Sequence, residues 1–522
     1  MKELKELKFE ELTVEQKLGL TLNFVLHQPA EDTEFVYELI KKRAVGSVWI
    51  QQGQGDEYKA RIDKVRELAD YPILIVTDAE SGIGDFKVGK HNAIGTTDSE
   101  KHAYAFGKAV GVEARKLGYN MVCDPVVDMY DGSMRNLGVD KEKVAGLAMA
   151  IAKGMRDGGV LNVAKHYPGG KQAKAVDSHT AESTSLNTKE ELLDYWLYPY
   201  LKLNEAGLLD GIMTKHCRFV NIDDKFPASL SKKVIDIIRE QGFDGIVMTD
   251  ALCMMGIRAK FSDKDAKAHA LNAGNDIPLP YNKRNKTHYE EYLEAYKEGK
   301  ISDEMLDAAV KRVLEAQHKT LLLNKDAELT DEEISTFRSI NRDGVYTDID
   351  EDTPATISRD GKHYFVILTK QESALTDGKP DVDTFSGGWH DPERIGKKIS
   401  ELFPNAKCKF IHEFPSQGEL VRVYEDTLDC DELVLMTFSE ALAYVGPEHL
   451  TRRVVNLVKS LQATSRISTL IHSGNPHTAE ELPHVKRVIF SGQTTDSIEA
   501  ALEVLAGTYP ANGKPTYKFK LQ

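Results

Sequence analysis

Residues 165–179, KHYPGGKQAKAVDSH, gather lysines, two histidines and one aspartate around a Gly-Gly turn. Pro168, Gly169 and Gly170 break regular structure, so the residues after them must form a loop. That loop ends in Asp177-Ser178-His179. An Asp-x-His pair has a mechanical use. The carboxylate can hold the imidazole's orientation and raise its basicity, and the imidazole can then exchange protons near neutral pH. On residue type alone, a solvated polar loop stays open as the alternative.

A second candidate is Asp250, in GFDGIVMTDAL (242–252). Closing an apolar run, it can serve as a nucleophile, a general base or a metal ligand. Capping of the next helix is the structural alternative. Asp78, Asp128, His166 and His216 also fall at the C-terminal ends of apolar runs. His166, His179, His216 and Asp250 could in principle ligate a divalent ion, but the i, i+4 and His-x-His spacings are absent. No metal is expected, and no cofactor.

The elements that must position these residues are short apolar runs alternating with helical patterns. The runs are GSVWI (46–50), PILIVTD (72–78), NMVCDPVVD (120–128), LNVAKH (161–166), GIMTKH (211–216), GIVMTD (245–250) and NDIPLP (275–280). Rich in Val, Ile and Leu without polar alternation, they suit parallel strands buried on both faces. Helices lie between them, such as 140–159, which stops at a Gly pair, and 231–242, which starts at Ser and ends at Gly. Strand and helix alternating about eight times over some 300 residues predicts a (β/α)8 barrel, with a doubly wound open sheet as the alternative. The strand-end polar residues favour the barrel, because such ends converge on one mouth.

A polar, acidic stretch at 339–362 reads as a linker. Beyond it comes a second series: HYFVILTK (363–370), CKFIHEF (408–414), ELVLMTFS (432–439), RISTLIHSG (466–474) and RVIFSG (487–492). It predicts a three-layer α/β/α sandwich with a parallel sheet and no phosphate-cradling glycine loop. The expected domains are therefore a barrel at 1–338, the linker, and a sandwich at 363–522. The sandwich could complete a ligand pocket, mediate a homodimer or buttress the barrel.

Composition excludes some partners. The chain has 522 residues, more than one core usually serves, and a net charge of −15. That charge would not be drawn to nucleic acid or to an anionic membrane surface. The N-terminus, MKELKELKFEELTVEQK, has no apolar h-region, and no later segment reaches the roughly 18–20 apolar residues of a membrane span. Five cysteines form no CxxC pair, which fits a reducing compartment. A cytoplasmic protein is expected.

Taken in order, KHYPGG…DSH, GIMTKH…FPASLS (211–231) and GFDGIVMTDAL resemble glycoside hydrolase family 3, and within it the bacterial β-N-acetylglucosaminidase branch. LTVEQKLG (12–19), ILIVTDAESG, MRNLGVDKEKVAGLAMAIAKGM (134–155) and SGNPHTAEELPHVKRVIFSG (473–492) fall in the same family order, so the likeness covers most of the chain. The resemblance implies a retaining, exo-acting β-glycosidase that takes a small carbohydrate. Asp250 matches the family's nucleophile. His179, oriented by Asp177, matches the general acid/base of that branch. Asp78, Arg135, Lys165 and His166 match positions that grip sugar hydroxyls. A retaining mechanism needs one group to attack and another to protonate the leaving oxygen and then activate water, and an Asp-His dyad would replace the usual second carboxylate. Such an acid repels anions less than a glutamate does, so phosphate could compete with water as acceptor. Two departures stand out: no arginine lies near Ile83, and the loop between Gly170 and Asp177 reads KQAKAV, about one residue longer than is usual. A β-glucosidase of the same family and a catalytically silent carbohydrate-binding barrel are the alternatives.

Overall fold

The computed structural model describes residues 4–518, apart from 27–31, 53–56, 130–133, 175, 283, 370–391, 413–414, 440–449 and 464–466. The chain divides into two compact units. One comprises residues 1–87, 100–130 and 141–337, and the other 88–99, 131–140 and 338–522.

The first unit holds eight parallel strands in sequential order: β1 (Asn23–Val25), β2 (Ser47–Trp49), β3 (Leu74–Asp78), β4 (Met121–Cys123), β5 (Leu161–Tyr167), β6 (Gly211–Thr214), β7 (Ile246–Ala251) and β8 (Ile277–Leu279). Seven are the expected runs. The remaining one, β1, is the three-residue NFV, too short to stand out as an apolar run. Val76, Cys123, Val163, Met213 and Met248 meet in one buried cluster that fills the interior. Val313 and Ala316, from the helix Asp303–Leu322, belong to the same cluster. Sequential parallel order with an interior packed by side chains is the (β/α)8 barrel. A side chain finishes β1: the Asn285 amide accepts from the Val25 N–H at 2.9 Å and donates to the Val25 carbonyl at 3.0 Å. Buried backbone groups must find such partners.

Local signals set the helix boundaries. Ser231 caps Lys232–Glu240 by accepting from the Val234 N–H, and Ser302 caps Asp303–Leu322 in the same way. Thr13 and Gln16 form a reciprocal capping box on Val14–Thr21.

The second unit is built on a six-stranded sheet. Five strands, His363–Thr369, Lys407–His412, Glu432–Phe438, Ile467–Ser473 and Arg487–Ser491, are parallel. Alternate residues serve opposite faces: Phe365, Val434 and Met436 join one buried cluster, and Val366, Leu433 and Leu435 another. Helices supply residues to both clusters, such as Ile399 and Leu502 to the first and Val454 and Val458 to the second. This is the three-layer sandwich. The sixth strand, Tyr346–Ile349, pairs antiparallel with Arg487–Ser491. It falls within the stretch expected as a linker, and the unit boundary lies inside the preceding helix, Asp331–Asp343. The local composition of 339–362 is that of a loop, but backbone pairing to a distant strand overrides it. No described helix is long and apolar enough to cross a membrane, and all five cysteines stand as thiols.

Candidate active site

Parallel strands in a barrel turn all their C-terminal ends to one face. Lys165, near the end of β5, is 2% exposed, and its Nζ lies 2.5 Å from Asp78 Oδ1 and 2.7 Å from Glu80 Oε1. An ammonium so deep in the barrel needs opposite charge, and two carboxylates supply it. Asp78 ends β3, and Glu80 lies two residues further on, in the loop. His166 Nδ1 lies 2.7 Å from Asp128 Oδ2. A carboxylate only accepts, so Nδ1 carries the proton. The other oxygen, Asp128 Oδ1, lies 3.8 Å from Lys215 Nζ, which donates to the Gly169 carbonyl at 3.2 Å.

Asp250, in β7, accepts the Ala251 N–H on Oδ1 at 2.7 Å. Burial by itself would raise its carboxyl. His166, His216, the Ala251 N–H and Lys165 outweigh that and hold it below the ordinary carboxylate value. His216 is buried, and burial pushes its imidazole below the ordinary range despite the attraction of Asp250. Its Nε2–H donates to the Ala251 carbonyl at 2.9 Å, so in the neutral ring Nδ1 accepts from the Ser229 hydroxyl at 2.7 Å. His216 is thus a buried support behind Asp250, with both nitrogens committed.

The loop of 168–182 leaves β5 through Gly169 and Gly170, whose φ angles of 73° and 86° suit glycine. At Gly170 a Cβ would also meet the Phe219 ring at 2.5 Å. Further on, His179 Nδ1 donates to Asp177 Oδ1 at 2.7 Å, and the same oxygen accepts the His179 backbone N–H at 2.9 Å. One carboxylate oxygen thereby fixes both ring and backbone, and Nε2 becomes the proton-exchanging atom. The Ser178 and His179 carbonyls accept the Gly256 and Met255 N–H groups at 2.9 and 3.2 Å. Met255 and Gly256 belong to the segment after Asp250. The loop carrying the dyad is therefore fastened to the segment carrying the candidate nucleophile.

Of the seven residues to which the resemblance gives roles, Asp78, Lys165, His166 and Asp250 share the strand-end face, and Asp177 and His179 form their pair on the docked loop. Arg135 lies in segment 131–140, which clusters with the second unit. Among the described residues, one carboxylate–imidazole group has metal-ligand spacing, Asp263, His288 and Glu291, on other segments. The Lys267 ammonium lies 3.0 Å from His288 Nδ1 and 2.7 Å from Glu291 there, so a cation already serves these groups. Sequence reasoning missed Glu80 and Lys215. The second carried a signal: the doublet Lys215-His216 repeats Lys165-His166 on the next barrel strand. Glu80 carried none beyond its place in a strand-end loop.

The Glycosyl hydrolase family 3 N terminal domain model matches residues 5–316. The chain is 29% identical over 264 residues to a β-hexosaminidase of Tolumonas auensis, covering 47% of this chain and 78% of that protein. A β-hexosaminidase of Hydrogenovibrio crunogenus is 31% identical over 247 residues, covering 44% and 68%. In fold, the chain resembles a family 3 β-N-acetylglucosaminidase from Paenibacillus sp. FPU-7 at a TM-score of 0.78 and 24% identity, over 96% of this chain and 98% of that one. A match to the family's N-terminal domain across the barrel, with relatives named β-hexosaminidase, makes the chain a glycoside hydrolase that belongs to glycosyl hydrolase family 3.

Proposed function

We propose that the enzyme is a retaining, exo-acting β-N-acetylglucosaminidase that hydrolyses terminal β-linked N-acetylglucosamine. The observation that carries this reading is the Asp177–His179 pair at 2.7 Å, docked on the segment after Asp250. Kinship with the β-hexosaminidases of Tolumonas auensis and Hydrogenovibrio crunogenus supports the choice of sugar.

The chemistry runs in two steps. His179, with Nδ1–H held by Asp177, donates the Nε2 proton to the glycosidic oxygen as the aglycone leaves. Asp250 attacks the anomeric carbon and forms a covalent glycosyl ester. Its lowered pKa keeps it ionised and nucleophilic at neutral pH. His179, now neutral, takes a proton from water through Nε2, the water attacks the anomeric carbon, and Asp250 departs as a carboxylate. Lys165, His166 and Asp78 hold the sugar hydroxyls, and their carboxylate partners keep the ammonium and imidazole aimed.

The deciding assay is release of 4-nitrophenol from the β-N-acetylglucosaminide and the β-glucoside at matched concentration. Faster cleavage of the N-acetyl sugar supports the reading, and preference for the glucoside moves the enzyme to the β-glucosidase alternative. Failure on both, with no covalent label from a 2-fluoro glycoside, leaves a barrel that binds without catalysis.

A further inference from the structure

We propose that Glu182, held between Arg218 and Lys260, is the latch that positions His179 over the substrate. The inference rests on the assignment of His179 as the general acid/base. After the dyad the chain makes a tight turn, with the Thr180 and Ala181 N–H groups both donating to the Asp177 carbonyl at 3.0 and 3.1 Å. Glu182 comes immediately after and leads into the short strand Ser183–Ser185, which pairs in parallel with Cys217–Phe219.

Glu182 Oε1 lies 2.7 Å from Arg218 Nε, on that partner strand, and 2.7 Å from Lys260 Nζ, which also reaches Oε2 at 2.7 Å. One carboxylate thus ties the far side of the loop to the segment after β6 and to the segment after Asp250. On the near side, the loop is fastened by the Met255 and Gly256 N–H groups. Burial alone would raise the Glu182 carboxyl, yet Lys260 and Arg218 hold it below its ordinary value. The two fastenings differ in kind. Backbone bonds re-form whenever the loop closes, whatever the side chains, whereas the ion pairs add a bias toward closure that depends on charge and is screened by salt. A loop that delivers the proton donor must open to admit sugar and close before the chemistry. Glu182 biases that closing step without touching the reacting atoms.

The test compares Glu182→Gln and His179→Ala with the parent enzyme on β-N-acetylglucosaminides whose leaving groups range from 2,4-dinitrophenol to methanol. Protonation matters little for the first and much for the last, and a general acid contributes about 10²–10⁴-fold where it is needed. The expected result is that His179→Ala loses most on the poor leaving groups. Glu182→Gln should show the same trend at about tenfold, and should no longer share the parent's slowing when sodium chloride is raised. Lys260→Gln, at a half-exposed surface position, removes one of the two ion pairs without touching the loop, leaves the Arg218 pair in place and should show the same trend more weakly. If His179→Ala loses equally on all substrates, the general-acid assignment falls and the latch with it. If His179→Ala shows the trend while Glu182→Gln and Lys260→Gln are as fast as the parent or lose uniformly, the latch alone is overturned.

Discussion

Replacing Lys165 by methionine tests the charge arrangement at the strand-end face of the barrel. Lys165 is 2% exposed, against 35% for Asp78 and 16% for Glu80. Methionine nearly fills the volume but leaves two carboxylates facing one another without their cation. Removing one partner of a buried pair costs about 3–5 kcal/mol, and the partial solvation of Asp78 reduces this to about 2–4 kcal/mol. The pH dependence has a definite sign. In the variant the folded state disfavours two adjacent anions, so their folded pKa values rise above the unfolded ones. The loss is then largest at neutral pH and shrinks as the pH falls and one carboxyl takes up a proton. Urea unfolding monitored by fluorescence, with Trp49 inside the barrel as one reporter, measures both effects. Glu80→Gln in the Lys165→Met background should recover at least about 1 kcal/mol, because residues in one charge network couple. A Lys165→Met protein within about 0.5 kcal/mol of the parent, flat with pH and additive with Glu80→Gln, would refute the reasoning.

Asp250→Asn should lower turnover about 10³-fold or more, and a 2-fluoro glycoside should label the parent on the peptide containing Asp250. Because the Asp250 carboxyl is held below its ordinary value, the labelling rate should fall at lower pH than an ordinary aspartate would give, and a fall at or above the ordinary carboxylate value would contradict the described environment. Asn285→Ala strips two hydrogen bonds from the buried Val25 backbone and should cost about 2–4 kcal/mol in unfolding free energy, with a loss below about 1 kcal/mol contradicting that role. Adding inorganic phosphate to the reaction should yield a sugar 1-phosphate beside the free sugar, read by phosphorus NMR, because the proposed acid carries no negative charge. Free sugar alone at high phosphate would make the enzyme a strict hydrolase.

The alternation of apolar runs, the cap at Ser231, and the placing of Asp78, His166 and Asp250 at strand ends were legible because they are local. Burial on both faces writes an unbroken apolar run, and a cap needs only its own first turn. Where an element is short, the signal fades: NFV at 23–25 is a barrel strand only because Ser47–Trp49 lies beside it. The strand at 346–349 is likewise held by pairing with residues 487–490, against its own composition.

By itself the chain's pattern determined the two α/β architectures and the chemical types gathered at the barrel mouth. The Asp177–His179 bond was also foreshadowed, since a spacing of two residues lets a carboxylate reach the nearby backbone and ring. Only the tertiary structure decided that Lys165 is clamped by Asp78 and Glu80, 87 residues from the former, and that His216 turns both ring nitrogens away to Ser229 and Ala251. It alone assigned segment 131–140, with Arg135, to the second unit, and brought Glu182 between Arg218 and Lys260. The physical reason is one of range. Propensity, capping and periodicity act within a turn or two of chain, whereas charge pairing inside a barrel is chosen among strands that only folding makes neighbours.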